Sequence, residues 1–150
     1  MAGTSSDMIL IAGNSHRELA KEISNRLGVR LASQSLYHST NRETVLDIGD
    51  SVRGRDCYLI QTGGKDVNNN IMELLIMTNA CKLSSSYKIT AVLTYFPYSR
   101  QTKRKSLRTS ITCKLLANLM QVSGINSVLT MDLHVFIHFS NTYYSLRYQE

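Results

Sequence analysis

The sequence predicts an α/β domain built on a three-layer, mostly parallel sheet. Short apolar or β-branched runs, such as residues 89–96, alternate with longer segments whose apolar residues recur at helical spacing, such as residues 67–83. Parallel strands joined by right-handed helical crossovers have both faces of their sheet covered. A chain of 150 residues is long enough for one such domain with its own core.

The first unit is predicted from residues 8–28. Residues 8–12 form a buried apolar strand, and a turn follows. Ser15 and Glu18 match a capping box, in which each side chain satisfies a free backbone N–H at the start of a helix. Gly28 is the expected end of that helix.

The middle of the chain carries weaker signals. Residues 43–48 alternate as in a strand, after an exposed loop at residues 37–42. Residues 57–61 predict a short buried strand. The helix over residues 67–83 has apolar residues on most of its faces, so we expect it to be deeply packed.

The last units follow the same alternation. Pro97 should end the strand at residues 89–96, because proline cannot donate to a strand ladder. A helix marked by residues 111–120 should end at Gly124, and residues 127–131 form the next strand. Asp132 and His134 then lie at its carboxyl end.

A dense basic segment follows Pro97. Lys and Arg number 17 against 11 Asp and Glu, and five of the 17 fall within residues 100–108, which contain no acid. A cationic loop at the carboxyl end of a buried strand suits a phosphate-bearing ligand. The alternative is an ordinary solvated surface. Nonspecific nucleic-acid binding is weakly supported, because interleaved aromatic residues are missing.

Cysteine usage and the amino terminus favour an intracellular protein. Cys57, Cys81 and Cys113 are odd in number and widely spaced, so we expect buried reduced thiols rather than a zinc site. No signal-peptide pattern is present, and no apolar run has the length of a membrane span. We expect a soluble cytoplasmic protein with no membrane partner.

Polar side chains at predicted strand ends suggest a nucleotide-phosphate site. They are Asn41 and Glu43, Arg100 and Gln101, and His134. Cations suit phosphate, amide and carboxylate groups suit a base, and a strand-end histidine suits a metal or a proton transfer. Each has a plain structural alternative, such as turn chemistry for Asn41 and Glu43. Neither the Walker pattern nor GxGxxG occurs.

Four longer motifs carry a resemblance to a known family. In order along the chain they are Ser51-Val52-Arg53-Gly54, Met72-Glu73-Leu74-Leu75-Ile76-Met77, Phe96-Pro97-Tyr98-Ser99-Arg100-Gln101 and Met131-Asp132-Leu133-His134. Over about residues 8–134 the chain resembles the phosphoribosyl pyrophosphate synthetases. These ribose-phosphate diphosphokinases transfer the diphosphate of ATP to ribose 5-phosphate.

The resemblance implies a fold, an assembly and site residues. The family has two phosphoribosyltransferase-like α/β domains and forms hexamers. Asn41 and Glu43 match the loop that reaches ATP adenine in a neighbouring subunit, and His134 matches a position near Mg²⁺ and the triphosphate. Two further sets of positions match as well: Arg100 and Gln101 at ATP contacts, and Ser51, Arg53 and Ser85 at the regulatory phosphate site.

Departures from the family pattern point to its associated proteins. Ser39 replaces the aromatic residue that packs on adenine, and Thr102 and Lys105 replace acids. The chain is in this respect more similar to the synthetase-associated proteins, paralogues thought to join and restrain the synthetase complex. The resemblance thus implies a non-catalytic regulatory subunit in nucleotide and purine biosynthesis. The alternative is a magnesium-dependent diphosphokinase.

The resemblance also suggests domain limits and partners. Residues 1–134 correspond to the amino-terminal domain, whereas residues 135–150 match none of the family, whose second domain we expect to be absent. We therefore expect the chain alone to be inactive and to bind nucleotide or phosphate. Its expected partners are synthetase subunits, in a homo- or hetero-oligomer that covers the apolar residues of the 135–150 segment.

Overall fold

The computed structural model describes residues 7–100 and 106–132. Four parallel strands form one sheet in the order β1-β4-β5-β6, and an antiparallel hairpin, β2-β3, forms a separate two-stranded sheet. This arrangement confirms the predicted α/β class. The elements are β1 (Met8–Ala12), α1 (Arg17–Leu27), β2 (Gln34–His38), β3 (Thr44–Ile48), β4 (Asp56–Ile60), α2 (Val67–Leu83), β5 (Lys88–Tyr95), α3 (Thr112–Ser123) and β6 (Ser127–Asp132).

The direction of the chain reverses beside β1. After α1, Leu31 forms a parallel bridge with Leu10, on the edge of β1 that does not face β4. The later crossovers run the opposite way, through β4, β5 and β6. Right-handed crossovers that run in opposite directions place their helices on opposite faces, which accounts for three layers. The reversal between β1 and β4 is a topological switch point, where open α/β sheets form a crevice at their carboxyl edge.

The two faces of the sheet are covered to different extents. On one face, Ile11, Leu59 and Leu93 are at most 2% exposed and pack in the same cluster as residues of α2 and α3. On the opposite face, α1 packs Ala20 into a smaller cluster with residues of β1 and β4. Burial on both faces is typical of parallel strands, whose sequences therefore read as continuous apolar runs.

Beyond α1 the second face is open among the described residues. Leu129 and Met131, on β6, are 42% and 76% exposed. A cavity of about 380 Å³ extends from them along the sheet to α1, lined mostly by apolar side chains. An exposed apolar surface of this kind is typical of an interaction surface.

The beginning of α1 differs from the prediction. The residue that caps the helix is His16, whose Nδ1 accepts from the Leu19 N–H at 3.2 Å. Ser15 instead hydrogen-bonds Gln61 and accepts from the Thr62 N–H, so the capping-box assignment of Ser15 and Glu18 is wrong. The sequence pattern could not show that Ser15 lies against the end of β4. Gly28 ends the helix at φ +65°, as predicted.

Three other expectations need correction. The expected loop at residues 37–42 begins later, because β2 runs from Gln34 to His38. Only Leu36 of this strand is buried, so its apolar signal is weak. Helix α2 is deeply packed on one side, but Met72 and Leu83 are 55% and 77% exposed. Strand β5 stops at Tyr95, two residues before Pro97.

Among the described helices, none is long and apolar enough to cross a membrane.

Candidate functional site

The tip of the β2-β3 hairpin carries Asn41 and Glu43. The tip is a tight turn, in which the Ser39 N–H donates to the Glu43 carbonyl at 2.9 Å and the Arg42 N–H to the Ser39 carbonyl at 2.8 Å. Asn41 Oδ1 accepts from the Glu43 N–H at 3.2 Å and from the Ser39 hydroxyl. Arg42 has φ +66°. The Asn41 oxygen therefore holds the turn, and both Asn41 and Glu43 are exposed.

The segment after β5 presents Arg100 at the carboxyl edge of the sheet. Pro97 is fully buried, and Tyr98, at φ +60°, donates its hydroxyl to Asn68 near the start of α2. Ser99 is buried and Arg100 is exposed. The strand and its proline thus fix where the basic segment leaves the domain. Gln101, Lys103, Arg104 and Lys105 lie outside the described residues, so the ATP contact of Gln101 and the binding of phosphate by the basic segment stay predictions.

His134 also lies outside the described residues, as does the 135–150 segment. Strand β6 ends at Asp132, at the same edge of the sheet as Arg100. Within the described ranges, no group of three His, Cys, Asp or Glu side chains is placed to hold a metal ion. The role of His134 beside Mg²⁺ stays a prediction.

Ser51, Arg53 and Ser85 lie at the opposite, amino-terminal edge of the sheet. Two turns meet there, since the Gly54 N–H donates to the Ser85 carbonyl at 2.8 Å. Ser85 has φ +60°, and all three predicted phosphate-site residues are exposed. The structure therefore brings the turns that carry Arg53 and Ser85 into contact. Whether they bind phosphate stays a prediction.

An ion pair lies next to this edge. Both guanidinium nitrogens of Arg30 donate to Asp50, at 2.8 and 2.9 Å, and the Ser33 N–H donates to the same carboxylate at 2.7 Å. These donors lower the pKa of the Asp50 carboxyl below its ordinary value. Asp50 therefore stays ionised and tied to Arg30, one residue before Ser51.

A buried polar cluster at the switch point was not predicted from the sequence. Glu73 of α2 is 1% exposed and accepts hydrogen bonds from Asn14 and Gln61. Gln61 is also 1% exposed, and its Nε2 donates further to the Asn70 carbonyl at 3.0 Å. A polar cavity of about 320 Å³ adjoins Glu73 and His38. The signal that could have found the cluster is a lone carboxylate in the apolar run of α2, which entered the prediction only as part of a family motif.

The three cysteines are free and buried, as predicted. Burial raises the pKa of the Cys113 thiol to about 11. Interaction with the Cys81 thiol lowers the pKa of the Cys57 thiol, and the same interaction, together with burial, raises the pKa of Cys81. They belong to the core cluster and line none of the predicted site.

Comparison with known proteins agrees with this geometry. Residues 8–124 match the model of the N-terminal domain of ribose phosphate pyrophosphokinase. The chain is 50% identical over 127 residues to ribose-phosphate pyrophosphokinase 4 of Saccharomyces cerevisiae, an alignment that covers 83% of this chain and 39% of that protein. It also superposes on phosphoribosylpyrophosphate synthetase from Mycobacterium smegmatis with a TM-score of 0.84 and 35% identity, covering 86% of this chain and 43% of that one.

These relatives confirm the phosphoribosyltransferase-like α/β fold that the resemblance implied. The chain spans less than half the length of each. The match over residues 8–124 includes the hairpin tip, Arg100 and the Arg53–Ser85 turns. The chain therefore belongs to the ribose-phosphate pyrophosphokinase family.

Proposed function

We propose that the chain is a non-catalytic, regulatory member of this family, which joins synthetase subunits in nucleotide biosynthesis. The observation that carries the proposal is the hairpin tip. There the Asn41 oxygen is engaged by Ser39 and Glu43, instead of being turned outward to meet a base. The same tip has Ser39 where the family resemblance expects a ring that stacks on adenine.

The tip also suggests how such a subunit would act. In the family the corresponding loop reaches the adenine of ATP in a neighbouring subunit, as the resemblance implies. A neighbour that receives this tip gains a small hydroxyl in place of a stacking ring, and stacking on a base is worth about 1–3 kcal/mol. The neighbour would bind ATP more weakly, and the complex would be restrained.

Further assignments support this proposal and rest on the same resemblance. Residues 1–134 are taken as the family's amino-terminal domain and 135–150 as a divergent tail. Exposed Ser51, Arg53 and Ser85 are the proposed regulatory phosphate site, on the sheet edge opposite the tip. Cytoplasmic location and Mg²⁺ dependence of the assembled complex are part of the same proposal.

A second candidate is catalysis by a magnesium-dependent diphosphokinase. Arg100 is exposed at the carboxyl edge, where a phosphate of ATP would lie, and this favours the second candidate. The yeast relative is itself named a pyrophosphokinase. The two candidates differ in whether the chain releases AMP from ATP in the presence of ribose 5-phosphate.

The experiment measures AMP formation by the full chain alone, by an active synthetase alone, and by the two together. The regulatory proposal expects no turnover from the chain alone and a raised KM for ATP in the mixture. A Ser39→Phe variant should bring that KM back toward the value of the synthetase alone, whereas an exposed Thr40→Phe control should not. Turnover by the chain alone that Arg100→Ala abolishes would instead establish the second candidate.

A further inference from the structure

Glu73 is a buried carboxylate to which the proposed function gives no task. Its Oε2 accepts from the Asn14 backbone N–H at 3.1 Å and from Gln61 Nε2 at 2.9 Å. Its Oε1 accepts from Asn14 Nδ2 at 2.9 Å. These bonds join α2 to the turn after β1 and to the residue that follows β4. A buried carboxylate so well supplied with donors is held in one position.

The third residue in contact with the Glu73 carboxylate comes from the hairpin. His38 Nε2 lies 3.4 Å from Glu73 Oε1, and His38 Nδ1 lies 3.3 Å from the Thr44 hydroxyl. The ring therefore lies between the Glu73 carboxylate, which Nε2 faces, and the Thr44 hydroxyl, with which Nδ1 shares a hydrogen bond. His38 is the last residue of β2 and Thr44 the first of β3. The contact with Glu73 is therefore made where the hairpin passes into its tip.

The base of the hairpin is held by different contacts. Leu36 is buried in the main core, and Leu46 and Ile48 pack against it. Asn14 Nδ2 reaches the Leu36 carbonyl at 3.4 Å. Beyond these residues the tip, residues 39–43, is mostly exposed. A two-stranded hairpin is marginally stable by itself, so the direction of its outer end depends on contacts such as that of His38.

We propose that Glu73 is a positioning residue, whose buried carboxylate fixes the hairpin tip in the direction needed to reach a neighbouring nucleotide site. Asn14 and Gln61 hold the carboxylate in place, and the carboxylate in turn holds His38. The step to nucleotide binding rests on the proposed function, because that proposal brings the hairpin tip to the neighbour's ATP. The proposal that Glu73 positions the tip does not rest on the proposed function.

The position of the tip is tested first, without nucleotide. Spin labels on cysteines introduced at Thr40 and Asn79, both exposed, report the distance from the tip to α2 in the full chain. His38→Phe keeps a ring on the strand and removes the ring nitrogen that faces Glu73, and Glu73→Gln keeps the side-chain shape and removes the charge. Both should broaden the distance distribution, and amide exchange at residues 37–44 should rise about tenfold.

The controls separate positioning from general loss of stability. Glu22→Gln removes an equal charge from an exposed site on α1 and should change neither measurement. Amide exchange in β4 and β5 should stay slow in His38→Phe, which leaves the Asn14 and Gln61 bonds in place. If Glu73→Gln fails to fold, His38→Phe alone decides the matter. A narrow, unshifted distance in His38→Phe would overturn the inference.

The functional step has its own readout. In the mixture with an active synthetase, His38→Phe should change the KM for ATP from the value measured in the wild-type mixture. The kcat and the amount of complex formed should stay the same. A purely structural role would lower kcat and complex formation together. A mobile tip with an unchanged KM would overturn the nucleotide step and the proposed effect of the tip on the neighbour's ATP. The positioning of the tip by Glu73 would then stand.

Discussion

Replacement of Gly13 by alanine tests whether the cluster around Glu73 stabilises the fold. Gly13 follows β1 and donates its N–H to the Ile60 carbonyl at 2.9 Å, which brings the backbone against Gln61. A Cβ added at Gly13 would lie 2.5 Å from Gln61 Cδ and 2.7 Å from Gln61 Nε2. Ordinary contact distances are about 3.5–4.0 Å, so the Gln61 side chain would have to withdraw by about 1 Å.

The displacement of the Gln61 side chain lowers the free energy of unfolding. Gln61 Nε2 donates to Glu73 and to the Asn70 carbonyl, and Gln61 Oε1 accepts from Ser15. A displacement of about 1 Å breaks at least two of these bonds in a buried site, each worth about 0.5–1.5 kcal/mol. Overpacking adds about 1–3 kcal/mol. We expect Gly13→Ala to lower the free energy of unfolding by about 3 kcal/mol.

Urea unfolding of the full chain measures this change, with Gly49→Ala as the matched control. A Cβ at Gly49 would meet Ser33 only at 3.4 Å and beyond, which is ordinary contact. The control should differ from wild type by less than about 0.5 kcal/mol. Equal midpoints for the two variants, with unchanged slopes, would refute the idea that Gln61 and Glu73 form a rigid cluster.

Three further predictions concern the rest of the chain. Arg53→Ala should weaken phosphate binding about fivefold at low salt, by calorimetry, while Arg26→Ala on α1 should leave it unchanged; equal losses would indicate a diffuse charge effect. Because the folded-state pKa of Cys113 is raised from 9.0 to about 11, its contribution to stability is complete below pH 9 and is lost as pH rises toward 11. Unfolding curves should show that loss in wild type and a smaller one in Cys113→Ala. Light scattering should find the full chain self-associated, and more monomeric when Leu129 and Met131 are both changed to serine; an already monodisperse wild-type monomer would contradict this.

The strands and helices could be predicted wherever an element carries many apolar residues of its own. Residues 67–83 and 127–131 carry enough apolar residues to mark a helix and a strand, and the structure places α2 and β6 there. Strand β2 was missed because it buries only Leu36, and a single apolar residue has no period. Elements that depend on a neighbour for their burial leave little local signal.

Individual residues of the site could be predicted from the sequence, but the contacts between them could not. Pro97 and Arg100 were found because proline ends strands and cations suit phosphate. The bonds of Glu73 to Asn14 and Gln61 join residues 59 and 12 positions apart, and the spacing rules for helices and strands do not reach over such separations. The misassigned cap at Ser15 has the same cause, since its hydroxyl is used by Gln61, 46 positions away.

Helix α2 runs from the carboxyl edge of the sheet to its amino-terminal edge. Its first turns hold Glu73 and contact the segment after β5 through Asn68, at the carboxyl edge. It ends at Leu83, two residues before Ser85 at the opposite edge. A 17-residue helix is about 25 Å long, and α2 contains no glycine or proline at which it could bend. The proposed phosphate site at Ser85 and the proposed positioning residue Glu73 therefore lie at opposite ends of one rigid element. In this geometry the edge of the proposed phosphate site and the edge that carries Glu73 are linked through α2, because Leu74 and Met77 fix that helix in the core between them.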